Sequence, residues 1–281
     1  MIKKLSIKVL SDNYVSAPGL IAEHGLSLLI EADGGYVLLD TGQGRALSVN
    51  SEVLGCDLAE VQALALSHGH FDHTGALDQF LERNSRATIY LHPVAVRPKF
   101  MKRDAGPARP VGTPQSCRDA LATVGDRVVW SRTAVEMLPD IWCTGEIPRH
   151  APGPSDNSNF FHDEDCREPD PLVDDQALFL HTAQGVVVLC GCAHAGVVNT
   201  LDHVARLTGD ERIFAVAGGF HLSHASRDEW EPAGNAFGRR DVRLIAPCHC
   251  TGLGARAYFR DRFPSRVIET GVGSRLRLDA S

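Results

Sequence analysis

Four potential metal ligands occupy six consecutive positions in the stretch S-H-G-H-F-D-H-T-G-A-L, which begins at residue 67. They are His68, His70, Asp72 and His73. Imidazole nitrogens and a carboxylate suit zinc, manganese or iron, and side chains this close in sequence cannot all reach one ion. The stretch therefore predicts a two-metal centre. A loop of surface histidines is the alternative, but it does not explain why the stretch stands between an apolar run and an apolar helical pattern.

The apolar residues on either side of this motif alternate as in β-strands. Residues 5–9 predict an early strand, and residues 26–31 and 36–40 predict a hairpin around a Gly-Gly turn. Residues 176–182 and 186–190 predict a second hairpin, which is again followed by a Gly-rich turn and a helical pattern. This half-to-half similarity predicts two related β-α units that face each other, with the site between them.

Three later histidines each follow an apolar strand and lie in a turn of small residues; they are His194, His221 and His249. Strand exits converge at one edge of an α/β sheet, so we expect these side chains to join the first four. The other histidines lack such a setting. We expect them on the surface or in turns, with a structural role for His92; the rest are His24, His150, His162, His181, His203 and His224.

Composition agrees with a single domain over residues 1–281, and the predicted metal site indicates a small-molecule substrate. The chain is 43% hydrophobic, which suffices for a large core. Its 28 basic and 35 acidic residues give a formal net charge of -7, so we expect no nucleic-acid partner. Lysines interrupt the apolar N-terminus, and no stretch is long enough to cross a bilayer. We therefore expect a cytoplasmic protein without a membrane partner; the oligomeric state is not indicated.

The 8 cysteines include two C-x-C pairs, each at the end of an apolar run. The pairs are Cys190 with Cys192 and Cys248 with Cys250. A structural zinc site built from these four is one interpretation, but such sites usually space each pair by two to four residues. We favour small buried residues that flank the histidine site.

Two stretches show no regular pattern, residues 93–115 and 148–171. The first is rich in Pro, Gly and Arg, and the second in Pro, Asp and Asn. Both predict long loops, which would form walls or lids over a substrate.

The H-x-H-x-D-H motif resembles the signature of the metallo-β-lactamase-fold superfamily. Asp40-Thr41-Gly42 is similar to the D-T-G turn of that superfamily, and further blocks resemble its dihydropteroate-synthase-like branch, often called metal-dependent hydrolases. These blocks are residues 11–13, 145–149, 191–199, 218–222 and 247–252. The resemblance implies an αββα sandwich, in which two mixed β-sheets face each other and helices flank them.

The resemblance also implies a ligand set for two divalent transition metals, with zinc favoured and manganese or iron as alternatives. One metal would be held by His68, His70 and His194, and the other by Asp72, His73 and His249. Many relatives have a bridging aspartate where this chain reads Gly191-Cys192. The candidates to replace that aspartate are His221, Cys192 and Asp175, and His221 is alternatively a substrate contact. Asp40 would orient a ligating imidazole, or simply cap its turn.

Hydrolysis of a small anionic or ester-containing substrate is the function that this site predicts. Asp72 would both bind a metal and orient or deprotonate the attacking water. Asn13 and Arg149 are candidate substrate contacts, as are the loop residues Arg97, Lys99, Lys102 and Arg103 unless they are simply solvated.

The resemblance leaves two alternative functions. One is a synthase that joins a dihydropterin to ribofuranosylaminobenzene phosphate, as in methanopterin biosynthesis. The other is a di-iron redox protein, although those relatives typically have glutamate where this chain has His70.

Overall fold

The computed structural model describes residues 1–279 of the chain. The first half contains β1 (Lys4–Ser11), β2 (Ser27–Ala32), β3 (Gly35–Leu39), α1 (Ala46–Val53), β4 (Ala63–Ala65), α2 (Phe71–Thr74), α3 (Leu77–Arg83), β5 (Thr88–Leu91), β6 (Phe100–Met101), β7 (Arg109–Pro110), α4 (Gln115–Ala122) and β8 (Val128–Trp130). The second half contains β9 (Val135–Leu138), β10 (Ile141–Cys143), β11 (Phe160–Phe161), β12 (Ala177–Thr182), β13 (Gly185–Cys190), α5 (Val197–Thr208), β14 (Ile213–Gly219), α6 (Arg227–Arg239), β15 (Leu244–Cys248), α7 (Gly252–Arg262) and β16 (Arg275–Asp279). Short 3-10 turns span Leu58–Glu60, Pro93–Val96, Gly125–Arg127, Ser155–Asn159 and His249–Thr251.

The strands form two large sheets. The order is β16-β1-β2-β3-β4-β5-β8 in the first sheet and β15-β14-β13-β12-β10-β9 in the second. Each sheet combines an antiparallel hairpin with parallel neighbours: β2 and β3 are followed by parallel β4 and β5, and β12 and β13 by parallel β14 and β15. The two predicted hairpins are therefore confirmed, as is the similarity of the two halves.

The alternation of side chains along the strands divides the core into layers. Val37 and Leu39 face the second sheet, whereas Leu38 packs under the helices of the first half. In the second sheet, Val187 faces the first sheet and Val188 packs under α5, α6 and α7. Because successive residues of a strand point to opposite faces, each sheet is covered by the other sheet on one side and by helices on the other. The predicted αββα sandwich is thus confirmed.

The two stretches predicted to be long loops contain short strands that the sequence did not indicate. β6 and β7 lie in residues 93–115, β11 lies in residues 148–171, and the three form a small sheet in the order β11-β6-β7. Phe160 pairs with Met101 and Phe161 with Phe100. Strands of two residues have no detectable hydrophobic period, so their pairing could not be read from the chain.

Parallel strands bring the candidate site residues to one edge of the two sheets. β4, β13 and β15 all end at this edge, and the residues that follow them are Leu66, Gly191 and His249.

Within residues 1–279, no helix is both long and apolar enough to cross a membrane.

Candidate metal centre

The loop after β4 is shaped by close backbone contacts. A Cβ atom on Gly69 would lie 2.0 Å from the carbonyl oxygen of Ala95, and one on Gly191 would lie 2.0 Å from Oγ of Ser67. No side chain fits at either position. The Gly69 N–H also donates to Oδ2 of Asp174 over 2.8 Å. The exits of β4 and β13, which belong to different sheets, are thereby held in contact.

One cluster of ligand atoms forms where these two exits meet. His68, Cys192 and His194 each offer a ligand atom within 4.8 Å of the other two, and we call them the first cluster. His70 lies beside it, with Nδ1 2.9 Å from Nε2 of His68. Nitrogens bound at 2.0–2.1 Å to one tetrahedral zinc are roughly 3.3 Å apart, so this spacing is close to that of two ligands of one ion.

The second cluster consists of His73, Cys192 and His249, again with ligand atoms within 4.8 Å of one another. The Nε2 atoms of His73 and His249 are 3.2 Å apart. Oδ2 of Asp72 lies 3.3 Å from Nε2 of His249 and 3.7 Å from Nε2 of His73. The structure therefore brings together all six residues predicted as ligands, whereas their binding of metal stays a prediction.

Hydrogen bonds at Nδ1, on the side of the ring away from Nε2, orient three of these imidazoles. Nδ1–H of His73 donates to Asp40 over 2.7 Å, Nδ1–H of His249 donates to Asn13 over 2.8 Å, and Nδ1–H of His194 donates to Asn157 over 2.9 Å. A ring that donates through Nδ1 has its lone pair on Nε2. These contacts therefore leave the Nε2 atoms ready to bind a cation.

Asp40 makes the hydrogen bond to an imidazole that the sequence predicted. Its carboxylate also accepts from the N–H and the Oγ–H of Ser67, both over 2.7 Å. Burial lowers the pKa of His73, but the charges of Asp40 and Asp72 outweigh it and raise the pKa to about 9. The two buried carboxylates thus stabilise positive charge at this position, which a proton on Nε2 or a bound cation in its place would supply.

For His68, His70 and His194, in contrast to His73, the effect of burial dominates and the net shift of the pKa is downward. Burial lowers the pKa of His70 to about 3 and holds those of His68 and His194 well below the ordinary value. Their rings are therefore neutral at pH 7, which is the form that binds metal. The Nε2 atoms of His70 and His194 are buried without a hydrogen-bond partner, and buried polar atoms are rarely left unpaired. A bound cation would satisfy Nε2 of His194, which therefore fits a metal centre, whereas His70 faces His68 through Nδ1.

Among the three candidates for the bridging position, Cys192 has the matching geometry. It belongs to both clusters, and its Sγ lies 3.1 Å from Nε2 of His73. Asp175 instead turns toward the backbone and accepts from the Ala195 N–H over 2.8 Å; burial raises its pKa to about 6.

His221 lies beside His194 of the first cluster. Its ring centroid is 4.1 Å from that of His194, and its Nε2 is 3.2 Å from Oδ1 of Asp156. His221 also forms a group with Cys192 and Cys250 in which the ligand atoms lie within 4.8 Å. It therefore lies next to the first cluster and also lines the cavity described below.

The cysteines of the C-x-C pairs do not assemble into a four-cysteine site. All eight cysteines are free thiols. Within residues 1–279, Cys192 and Cys250 belong to clusters of potential metal ligands, whereas Cys190 and Cys248 do not. The first cysteine of each pair is the last residue of its strand and packs in the core, whereas the second lies beyond the strand end, among the candidate ligands.

Three histidines expected on the surface or in turns have specific surroundings. Nε2 of His24 lies 3.2 Å from Oδ2 of Asp72, and the His24 side chain is 59% exposed. His224 lines the cavity described below. His162 is buried, with Nε2 3.3 Å from Oδ1 of Asp170. Neither His24 nor His224 directly follows the end of a strand, so a search for ligands at strand ends could not find them.

Two of the basic residues considered as substrate contacts are engaged elsewhere. Lys99 is fully buried and pairs with Asp170 at 2.6 Å and Asp174 at 3.0 Å, so it is not a solvated loop residue. Arg149 donates to the carbonyl of Leu172 over 2.7 Å and does not line the cavity. Among the residues predicted to contact substrate, Asn13 lines the cavity.

A cavity of about 260 Å³ opens onto both clusters. Its floor includes His70, Asp72, Cys192, His194 and His249, with His221 at the side. The opposite wall comes from the segments of the small sheet, through Met101, Arg109, Val111 and Phe160. The expectation that these segments wall a substrate site agrees with this arrangement.

Comparison with known proteins identifies the family. The sequence-family model of the metallo-beta-lactamase superfamily matches residues 20–166. The chain belongs to the metallo-beta-lactamase superfamily. A relative in Methanocaldococcus jannaschii, 7,8-dihydropterin-6-methyl-4-(beta-D-ribofuranosyl)-aminobenzene-5'-phosphate synthase, is 28% identical and aligns over 93% of this chain and 92% of its own length.

Solved structures of the metallo-beta-lactamase superfamily agree with this assignment. The crystal structure of Tm1679, a metal-dependent hydrolase of the beta-lactamase superfamily, is 31% identical with a TM-score of 0.83, and the match covers 98% of this chain and 99% of that one. YhfI from Bacillus subtilis, a metallo-beta-lactamase fold protein, has a TM-score of 0.59 at 11% identity and covers 98% and 99% of the two chains. The second likeness shows the fold alone.

Proposed function

We propose that this member of the superfamily is a metal-dependent hydrolase with a dinuclear centre, acting on a small ester-containing or anionic substrate. One observation carries the proposal: two clusters of potential ligands share Cys192 beside one cavity, and hydrogen bonds through Nδ1 orient His194 in the first cluster and His73 and His249 in the second. The likeness to Tm1679, a metal-dependent hydrolase, supports the same class.

The two clusters divide the proposed ligands. His68, His70 and His194 would hold one divalent ion, and Asp72, His73 and His249 the other, with Cys192 between them. Nitrogen, sulfur and carboxylate donors together favour zinc over manganese, which prefers oxygen. Such a pair of cations supplies Lewis acidity and makes hydroxide available at neutral pH.

Asp72 is the residue we propose to orient the attacking water. Burial raises the pKa of its carboxyl, but the charge of His73 and the contacts with His24 and His249 outweigh it and hold the pKa well below the ordinary value. Asp72 is therefore an anion at neutral pH. Its carboxylate would accept a hydrogen bond from the attacking water and so orient the oxygen of that water toward the substrate. His24 connects this carboxylate with the solvent-exposed side of the cavity.

The synthase function is the second candidate, because the relative in Methanocaldococcus jannaschii carries that name and aligns along nearly the whole chain. We rank hydrolysis first because Tm1679, at 31% identity and a TM-score of 0.83, is a metal-dependent hydrolase, whereas the synthase is 28% identical.

The test is a turnover screen of the zinc-loaded protein on phosphoesters, lactones, thioesters and the dihydropterin pair of the synthase reaction. The matched control is His68→Ala/His70→Ala. Hydrolysis by the wild type that the double variant lacks supports the hydrolase. Joining of the two pterin-pathway substrates, without hydrolysis of any ester, supports the synthase instead. Iron with a visible absorption spectrum in the purified protein, in place of zinc, would contradict the zinc assignment.

A further inference from the structure

Arg109 stands at a fixed position relative to the candidate metal ligands. It begins β7, and two residues later the carbonyl of Val111 accepts a hydrogen bond of 2.9 Å from the N–H of Phe71. Gly112 then forms a β-bridge with His70. The chain around Arg109 is thus attached directly to the loop that carries His70 and Asp72, and the Arg109 side chain lines the same cavity as these two residues.

The guanidinium of Arg109 is exposed and free to bind a ligand. Its Cζ lies 5.2 Å from the centre of the Phe71 ring, within the range of a cation–π contact, which limits how the long side chain moves. Within residues 1–279, Arg109 has no carboxylate partner. By contrast, the nearby Arg97 is paired with Glu168 at 2.7 Å, and Lys99 with two aspartates.

The other charges of the cavity are already engaged. Asp72 contacts His24 and His249, and Asp156 contacts His221. Around Arg109 the wall is apolar, formed by Phe71, Met101, Val111 and Phe160. A planar guanidinium above an apolar wall matches a molecule that has a flat or aliphatic body and a carboxylate or phosphate at one end.

We propose that Arg109 forms an anion subsite, which selects substrates with a carboxylate or phosphate group attached to an apolar body. The anion binds at the rim of the cavity, and the apolar body extends along the wall toward the candidate metal centre. Calling the ligand a substrate rests on the proposed function, whereas the binding of the anion does not.

The test measures binding of phenylphosphonate and of benzoate, neither of which contains an ester bond, to the zinc-loaded protein by titration calorimetry. We expect Arg109→Ala to weaken binding by about tenfold, the scale of one charge-assisted hydrogen bond. Arg109→Lys keeps the charge but loses the planar donor pair, so an intermediate loss is expected. Arg97→Ala is the matched control, since Arg97 belongs to the same segment but faces Glu168. If Arg109→Ala weakens the binding of only one of the two anions, that anion carries the group that the subsite selects.

Three results would overturn the subsite: neither anion binds the wild type, Arg109→Ala binds both anions as tightly as the wild type, or Arg97→Ala weakens binding equally. Unchanged thermal unfolding of Arg109→Ala excludes a folding defect, as expected for an exposed side chain. Because the binding measurement needs no turnover, failure of the anion subsite can be distinguished from failure of the proposed hydrolase function. Binding that depends on Arg109, in a protein that hydrolyses nothing, would refute the hydrolase and leave the subsite intact.

Discussion

Sγ of Cys192 lies 3.1 Å from Nε2 of His73, although 119 residues separate the two in the chain. The contact joins the first residue pair after β13 to the motif that follows β4. It places a thiol where the resemblance to other members of the superfamily leads one to expect a carboxylate. A thiolate is a softer ligand than a carboxylate, so the choice of metal should depend on this one side chain.

Cobalt substitution tests whether Cys192 is a metal ligand. We expect the Co(II)-loaded wild type to show a sulfur-to-cobalt charge-transfer absorption, and Cys192→Ser to lose it because the hydroxyl is not a comparable donor. Cys192→Asp should lose the band as well but keep both metals. Cys250→Ser is the control, since Cys250 lies in the same group as Cys192 and His221. A band that persists in Cys192→Ser and vanishes in Cys250→Ser would assign the ligand to Cys250.

Replacing two motif histidines should remove metal without unfolding the protein. In His68→Ala/His70→Ala, two of the three proposed ligands of the first ion are gone, and neither side chain forms the core of a sheet. We expect elemental analysis to show loss of most bound metal, with an unchanged far-ultraviolet circular dichroism spectrum. His181→Ala provides the matched control away from the clusters. Full metal content in the double variant would contradict the assignment.

Asp72→Asn keeps the shape of the side chain but removes its charge. The amide cannot accept a proton and is a poorer ligand, so we expect turnover to fall by roughly 10²-fold or more. Part of the metal should stay bound, because His73 and His249 remain. The measurement is kcat on the best ester from the turnover screen, with Asp78→Asn as the control. Turnover equal to that of the wild type would exclude the proposed role of Asp72.

The buried pair of Lys99 and Asp174 predicts a stability that depends on pH. Burial raises the pKa of Asp174, but Lys99 and the Gly69 N–H outweigh it, so the pKa lies below the ordinary value of 3.8. A lowered carboxyl pKa stabilises the native state above the unfolded-state pKa, and this stability is lost as the pH falls through the native pKa. At pH 7, Asp174→Asn should lower the free energy of unfolding by about 1.5–3 kcal/mol, because Lys99 keeps Asp170 but loses the charge-assisted hydrogen bond to its second buried partner.

The measurement is urea denaturation of metal-free protein at several pH values, since zinc itself dissociates in acid. The difference between wild type and Asp174→Asn should be largest above about pH 4 and shrink below it. A difference that is constant from pH 7 to pH 3 would show that the charge of Asp174 is not the cause.

The sequence predicted the parts of the site that lie directly after regular strands. His68, His194 and His249 were found because an apolar run ends just before each of them, and the same runs gave the two hairpins. His24 and Arg109 lie in irregular segments, where position depends on tertiary contacts such as that between Arg109 and Phe71. Lys99 was misjudged for a related reason: its two aspartates lie 71 and 75 residues away, and no local pattern links them.

The pairing of Phe160 with Met101 constrains how this chain can diversify. The metal-binding floor belongs to the large sheets, but the wall of the cavity belongs to a miniature sheet built from both halves of the chain. An insertion before Phe160 would shift its register against Met101 and so disturb the side that carries Arg109. Lineages that acquire new substrates by remodelling this wall should therefore change the two segments together, and a chimaera that imports one segment from a relative should need the other as well.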